Sequence, residues 1–409
     1  MKKILFSLTL CSLMLHANET VSREKYQQLE QRVAELEKLL KVKSTVDKKT
    51  NIEKLSDENM KAAMTNSNSF NQKNFIPDIS LILNGSAVSR NISNTEYEGY
   101  GIPGFVDSTE EIPFNKNRGF NFNYAEVAMH SEVGPYFDAD VTFHLGADEF
   151  ETEEAYITTK KLPYNLEVKA GTFKSNFGYI NNIHQHAQHF VAQPLVHEAM
   201  FGVEGIKDPG ISLHWVAPTD NYLMLGFEAL QGTNELSFGN TDNDLLYIGY
   251  IKSGFDLSDN LTALAGTSIA KGKTEDVSLN MQDSTVYGAD LTLKYILDSY
   301  SSLTWQSEYL YRDKNDEKQA GLYTQLLYEI NRNWEVGTRY DAITKNLISE
   351  PDDLKKYSAI VQYKPFEFSK LRLQYTFDKS KSFGMGREDE HQIALEFIIE
   401  AGAHGAHAF

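Results

Sequence analysis

Leu371-Arg372-Leu373-Gln374-Tyr375-Thr376-Phe377 alternates without a break between apolar and polar side chains. That period-two pattern belongs to a strand whose two faces meet different surroundings. The same texture returns where Phe120, Phe122 and Tyr124 interleave with Asn121 and Asn123. It returns again where Ile393, Leu395, Phe397 and Ile399 interleave with Gln392, Ala394, Glu396 and Ile398. Working outward from these segments, sixteen strand-like stretches fill residues 78–409, with 152–161 the weakest of them. Their connections alternate in character. Those at 132–135, 162–165, 218–221, 257–260, 297–302, 330–333 and 364–370 are short. Those at 91–118, 182–209, 232–244, 271–283, 313–318, 346–353 and 379–390 are polar and on average longer. Tilted strands of about 9–11 residues, with short periplasmic turns opposite long external loops, describe an all-β transmembrane barrel of about sixteen antiparallel strands.

Period-two alternation also suits a soluble all-β protein, so the chain ends carry weight. Residues 1–17 combine Lys2 and Lys3, an apolar run from Ile4 to Leu15, and the small residue Ala17. This is the build of a cleaved signal peptide, and the run is too short for a spanning helix. Cleavage removes Cys11, the only cysteine, which leaves no disulfide and no thiolate ligand. No later stretch approaches the roughly 18 apolar residues of a membrane helix, and the mean hydropathy is −0.42. A barrel can hide in such a sequence, whereas a helical membrane bundle cannot. Aromatic residues make up 12% of the chain, enough for girdles at two membrane interfaces.

The formal charge is −18, and loss of Lys2 and Lys3 makes it more negative still. That balance excludes nucleic acid as a partner and favours attraction of cations. The densest acidic cluster, Asp148, Glu149, Glu151, Glu153 and Glu154, falls on the second predicted loop, where solvation is its expected role. Between signal and barrel, Tyr26, Leu29, Val33, Leu36 and Leu40 recur at spacings of three and four, a short periplasmic coiled coil within 18–43. An isolated helix of that length is marginal in water, so self-association is expected, with packing on another surface as the alternative. A polar linker, 44–76, then leads to the barrel at 77–409.

Chemistry concentrates in histidines. His184, His186 and His189, with His197 nearby, lie on the loop after the fifth strand, and His404 and His407 lie in the tail. Neutral imidazole binds zinc, copper or nickel, and these spacings let several rings converge on one ion if the loop folds back. Glu198, Glu204 and Asp208 are candidate oxygen ligands. His130, His144, His214 and His391 are scattered along strands and read as ordinary lumen or interface residues. Solvation alone is the competing reading for the loop histidines. No His-Glu-x-x-His, Gly-x-Ser-x-Gly or phosphate-cradling loop occurs, so no enzyme is expected.

The layout resembles the sixteen-stranded, trimeric outer-membrane porins, including those with a periplasmic coiled coil ahead of the barrel. The resemblance implies a homotrimer in the outer-membrane bilayer. It also implies recognition of the terminal Phe409 by the barrel-assembly machinery, and a third loop folded into the lumen as the constriction. The coil would reach peptidoglycan or a periplasmic partner. Gly178-Tyr179-Ile180-Asn181 followed by His184-Gln185-His186, then Gln193-Pro194-Leu195-Val196, and the closing Gly402-Ala403-His404-Gly405-Ala406-His407-Ala408-Phe409 resemble a narrower group, the zinc-regulated outer-membrane receptors. That resemblance implies a link to zinc or another divalent transition metal, with no cofactor required. Only about sixty residues of coil and linker precede the barrel, too few for the plug domain of a TonB-coupled receptor. The expected function is passive diffusion of small hydrophilic solutes or divalent cations. The alternative is a non-channel surface protein, either an adhesin or a metal-capturing scaffold.

Overall fold

Alternation dictates sidedness strand by strand. In β15 (Ser369–Asp378) Arg372, Gln374 and Thr376 are buried while Leu373 and Tyr375 are exposed. In β18 (Glu390–Gly402) Gln392, Ala394, Glu396 and Ile398 are buried while Ile393, Leu395 and Phe397 are exposed. Polar groups inside and apolar groups outside is the inverse of a water-soluble sheet protein, and it is stable where the outer solvent is hydrocarbon.

The structure is a computed structural model and describes residues 77–402 apart from 110–111, 113, 147–149, 235, 240–243, 276–280, 348–352 and 385. The expected signal peptide 1–17, coiled coil 18–43 and linker 44–76, and the tail with His404, His407 and Phe409, lie outside the described residues. From the first strand, β1 (Asp78–Arg90), the chain runs through β2 (Gly119–Val133), β3 (Phe137–Leu145), β4 (Phe150–Thr159), β5 (Leu166–Lys174) and β6 (Lys207–Val216). It continues through β7 (Leu223–Leu230), β8 (Leu246–Ser258), β9 (Leu261–Glu275), β10 (Met281–Ile296) and β11 (Ser302–Lys314). Then come β12 (Glu317–Glu329), β13 (Trp334–Lys345), β14 (Lys355–Phe366) and β15, a small hairpin of β16 (Ser382–Phe383) and β17 (Gly386–Arg387), and β18. Each barrel strand pairs antiparallel with its neighbours. β18 closes on β1 from Ser80 opposite Gly402 to Arg90 opposite Gln392, giving a closed barrel of sixteen strands. Closure leaves no sheet edge to satisfy.

Three sequence expectations need correction. The connection at 313–318 is a hairpin with a two-residue turn. Asn315 and Asp316 take φ of 49° and 70° there, the left-handed pair that Asn and Asp tolerate best. Tyr124 does not share a face with Phe120 and Phe122. A register shift between Asn84 and Gly85 leaves Asn123 as the extra residue, which turns Tyr124 inward and buries it. Of the acidic cluster, Glu151, Glu153 and Glu154 belong to β4 rather than to a loop, and the last two are buried rather than solvated.

The interior is occupied by the segment 175–206, which connects β5 to β6. Its neck is closed by Ser175 N–H donating to the Ile206 carbonyl at 2.9 Å. The Asn181 amide donates to Ser175 and Ile206 carbonyls and accepts from Ile206 N–H at 2.8 Å. A helix, α2 (Leu195–Phe201), comes after a first short helix, α1 (Asn94–Tyr97), on the β1–β2 connection. Every residue of α2 is buried, against Phe177, Ile180, Val286, Leu310 and Tyr323 among others. Pro194 stands at the N-cap of α2, where a missing N–H costs nothing. Gly178 has φ +63°, and a Cβ there would lie 1.8 Å from a Glu308 oxygen, so only glycine fits.

The outward apolar face makes a measurable demand. Leu373→Arg at mid-strand is expected to cost about 2–4 kcal/mol of folding in a bilayer, read from the folded fraction in lipid vesicles. Arg372 carries the same charge one residue away and is tolerated because it faces inward onto Glu396.

Candidate functional site

The lumen-crossing segment is held by two walls of opposite sign. On one side the cations of β13, β14 and β15 take its backbone carbonyls. Arg339 donates to Ala192 and Gln193 at 2.9 and 3.2 Å, and Lys356 to Gln193 at 3.0 Å. Lys370 donates to His186 at 2.6 Å and Arg372 to Gln188. The amides of Val191 and Leu195 donate to Gln374 and Asp341 at 2.8 and 2.9 Å. Charge-assisted bonds of this kind are about twice as strong as neutral ones.

On the other side β2 and β4 present carboxylates to the segment's imidazoles, and β3 adds an imidazole of its own, His144. Glu126 of β2 stands opposite His144 of β3 in register, with His144 Nε2 3.2 Å from its Oε2. Tyr124, turned inward by its bulge, stacks on His144 at 4.7 Å between ring centroids. A second bulge, between Thr142 and Phe143, leaves Glu153 as the extra residue of β4, so that Glu153 and Glu154 both point inward. Glu153 Oε2 lies 2.6 Å from His144 Nε2 and 3.3 Å from His184 Nδ1. Glu154 Oε2 lies 2.8 Å from His184 Nε2. His186 Nδ1 is 3.3 Å and His184 Nδ1 3.5 Å from Glu126 Oε2. Lys174 Nζ approaches Glu153 at 3.0 Å. Potential ligand atoms of Glu126, His184 and His186 lie within 4.8 Å of one another, as do those of Glu126, His144 and Glu153.

Only two of the four loop histidines expected to converge do so. His189 pairs with Glu335 at 2.9 Å on the cationic wall, and its ring is partly exposed. His197 faces Glu308 at 3.0 Å from within α2. The carboxylates beside His184 and His186 are also not the expected ones. Glu198 accepts from Tyr100 at 2.6 Å and faces Lys356 at 3.4 Å, Glu204 pairs with Lys207 at 2.7 Å, and Asp208 accepts from Thr233 N–H at 3.1 Å. His130 pairs with Asp140, His214 with Glu167, and His391 takes a bond with Tyr375.

Electrostatics follow from burial and neighbours. Burial opposes a charged His184, yet Glu153 and hydrogen bonds to Glu126, Glu153 and Glu154 raise its pKa well above the usual imidazole range. Burial likewise opposes ionisation of Glu198, and Lys356 and Lys381 more than offset it, holding its pKa low. Around Glu126 the chemistry available is proton sharing or cation binding by a mixed nitrogen and oxygen donor set.

Arg339→Met tests the cationic wall, since it removes both bonds to the segment and leaves Asp341 without its cation. We expect a loss of about 3–5 kcal/mol, seen as proteolytic cleavage within 186–193 while the barrel remains folded.

No protein-family model matches the chain. An uncharacterized protein of Aquifex aeolicus is 38% identical over 387 residues, covering 83% of this chain and 81% of that protein. Among solved structures, the outer membrane channel DcaP of Acinetobacter baumannii superposes with a TM-score of 0.52 at 12% identity, covering 80% of this chain and 97% of that one. The anion-selective porin from Comamonas acidovorans gives 0.52 at 11% identity, covering 80% and 100%. OprB of Pseudomonas putida gives 0.51 at 10%, covering 81% and 95%. The structural likeness is one of fold, that of the outer-membrane porins and channels, and the chain belongs to the same family as the Aquifex aeolicus protein.

Proposed function

We propose that the protein is an outer-membrane channel for passive diffusion of small hydrophilic solutes or divalent cations, with the segment 175–206 as its constriction. The observation that carries this reading is a polar-lined closed barrel crossed by one loop that is fastened to opposite walls. The apolar outer face suits a bilayer, and the porins and channels that share the fold are themselves barrels of this kind. A homotrimer is part of the proposal, supported by the trimer form of Vibrio cholerae OmpT, which has the same fold.

Selectivity follows from charge. The formal charge of −18 and the buried acids Glu126, Glu153, Glu228 and Glu308 favour cations, while the facing Arg339, Lys356 and Arg372 are engaged by the loop. A cavity of about 570 Å³ lined by Tyr100, Glu198, Glu204, Lys207, Thr233 and Asn234 lies where the long connections gather, and suits an entrance vestibule. The motif resemblance to zinc-regulated receptors supports a divalent metal among the permeants or ligands.

A second reading has its own support. The depth at which 175–206 is packed fits a filled barrel that displays its loops or captures metal without passing it. Conductance separates the two. Purified full-length protein in a planar bilayer is expected to give discrete current steps with a cation-selective reversal potential. A silent bilayer from folded protein would remove the channel reading, and anion selectivity would remove the role given to the acidic wall.

A further inference from the structure

Glu126 is fully buried near the middle of β2, and its Oε1 has no hydrogen-bond partner among the described residues. Its Oε2 is approached by three imidazole nitrogens, at 3.2 Å from His144, 3.5 Å from His184 and 3.3 Å from His186. One carboxylate oxygen has two lone pairs, so three imidazole donors exceed what it can accept. The distances are also long for charge-assisted hydrogen bonds, which run about 2.7–2.9 Å. They match neighbouring ligand atoms around a shared ion, because metal–ligand distances of about 2.0–2.2 Å place such atoms roughly 3.4 Å apart in a tetrahedral shell.

We propose that Glu126, His184 and His186, completed by Glu153 or His144, bind a divalent transition-metal ion that is held rather than passed, and that this ion staples the third loop to strands β2–β4. The donor set of imidazole nitrogen and carboxylate oxygen without thiolate suits zinc, cobalt, nickel or iron(II). It disfavours copper(I), which wants sulfur, and calcium or magnesium, which want oxygen.

Residence follows from burial. Glu126, His184 and His186 are all at most 5% exposed, and the backbone carbonyls of His186 and Gln188 are fastened to the opposite wall. Conduction requires binding weak enough for release, whereas a dehydrated shell of three or four protein ligands releases its ion slowly. The proposal deepens the channel reading by naming a regulator of its constriction, and its ligands come from the strands β2–β4 and from the loop.

The test uses the full-length protein refolded with zinc or cobalt, dialysed, and assayed for retained metal. About one ion per chain is expected to remain, since a shell of this size holds one cation. The cobalt form is expected to show ligand-field absorption for mixed nitrogen and oxygen ligation. His184→Ala with His186→Ala should weaken binding by at least about tenfold, and His189→Ala, on the opposite wall, should leave it unchanged. Glu126→Gln, which keeps the side-chain shape, should reproduce the loss if the double variant fails to assemble. Wild-type protein that retains no ion, or that exchanges it as fast as it is washed, would overturn the proposal, as would variants that retain it equally. Conductance on the same samples keeps the two readings apart. A metal-retaining but silent barrel removes the channel and leaves the staple, and a conducting barrel without metal does the reverse.

Discussion

Everything inside this barrel depends on one requirement, that a long loop withdrawn from bulk water must still satisfy its polar backbone. The segment 175–206 meets it with help from side chains of the wall rather than from secondary structure alone. Arg339, Lys356, Lys370 and Arg372 take its carbonyls, Gln374 and Asp341 take its amides, and Asn181 closes its neck. The charges of β13–β15 are thereby consumed as structural donors.

The second wall is made possible by departures from regular strands. Strict alternation would put Glu153 and Glu154 on opposite faces of β4, and would keep Tyr124 with Phe122. Two bulges, at Asn123 and Glu153, reverse the sidedness of the residues after them and so aim Tyr124, Glu153 and Glu154 at one volume. A bulge costs a ladder bond and gives a side chain a direction that the pleat alone does not allow. The cross-strand partners Glu126 and His144 need no bulge between them, because the turn after β2 places them in register.

These devices explain why some features are legible in the chain and others are not. The sixteen strands, their turns and the inward face of β15 and β18 follow from period-two texture, which residues such as Leu373 and Gln374 express directly. The apolar content of Phe190, Val191, Leu195 and Val196 marks the third loop as one that packs, and all four are buried. The hairpin at Asn315 and Asp316 is hidden because two polar residues in a tight turn look like the tip of a longer loop. Convergence of His184 and His186, but not His189 or His197, is not legible, since spacing along a loop says nothing about which wall each ring will reach. His144 carries a weak signal, as a titratable residue at an inward position of β3, and Glu126 carries none, because the bulge at Asn123 turns it inward. Glu153 carries none, because its orientation comes from a register shift.

The most direct test is hydrogen exchange, followed by mass spectrometry, over 175–206 in the folded full-length protein. If the segment is strung between the two walls, the amides of Val191 and Leu195, bonded to Gln374 and Asp341, exchange as slowly as those of the barrel strands. Exchange there as fast as in an exposed loop would contradict it, and with it the constriction on which the proposed function rests.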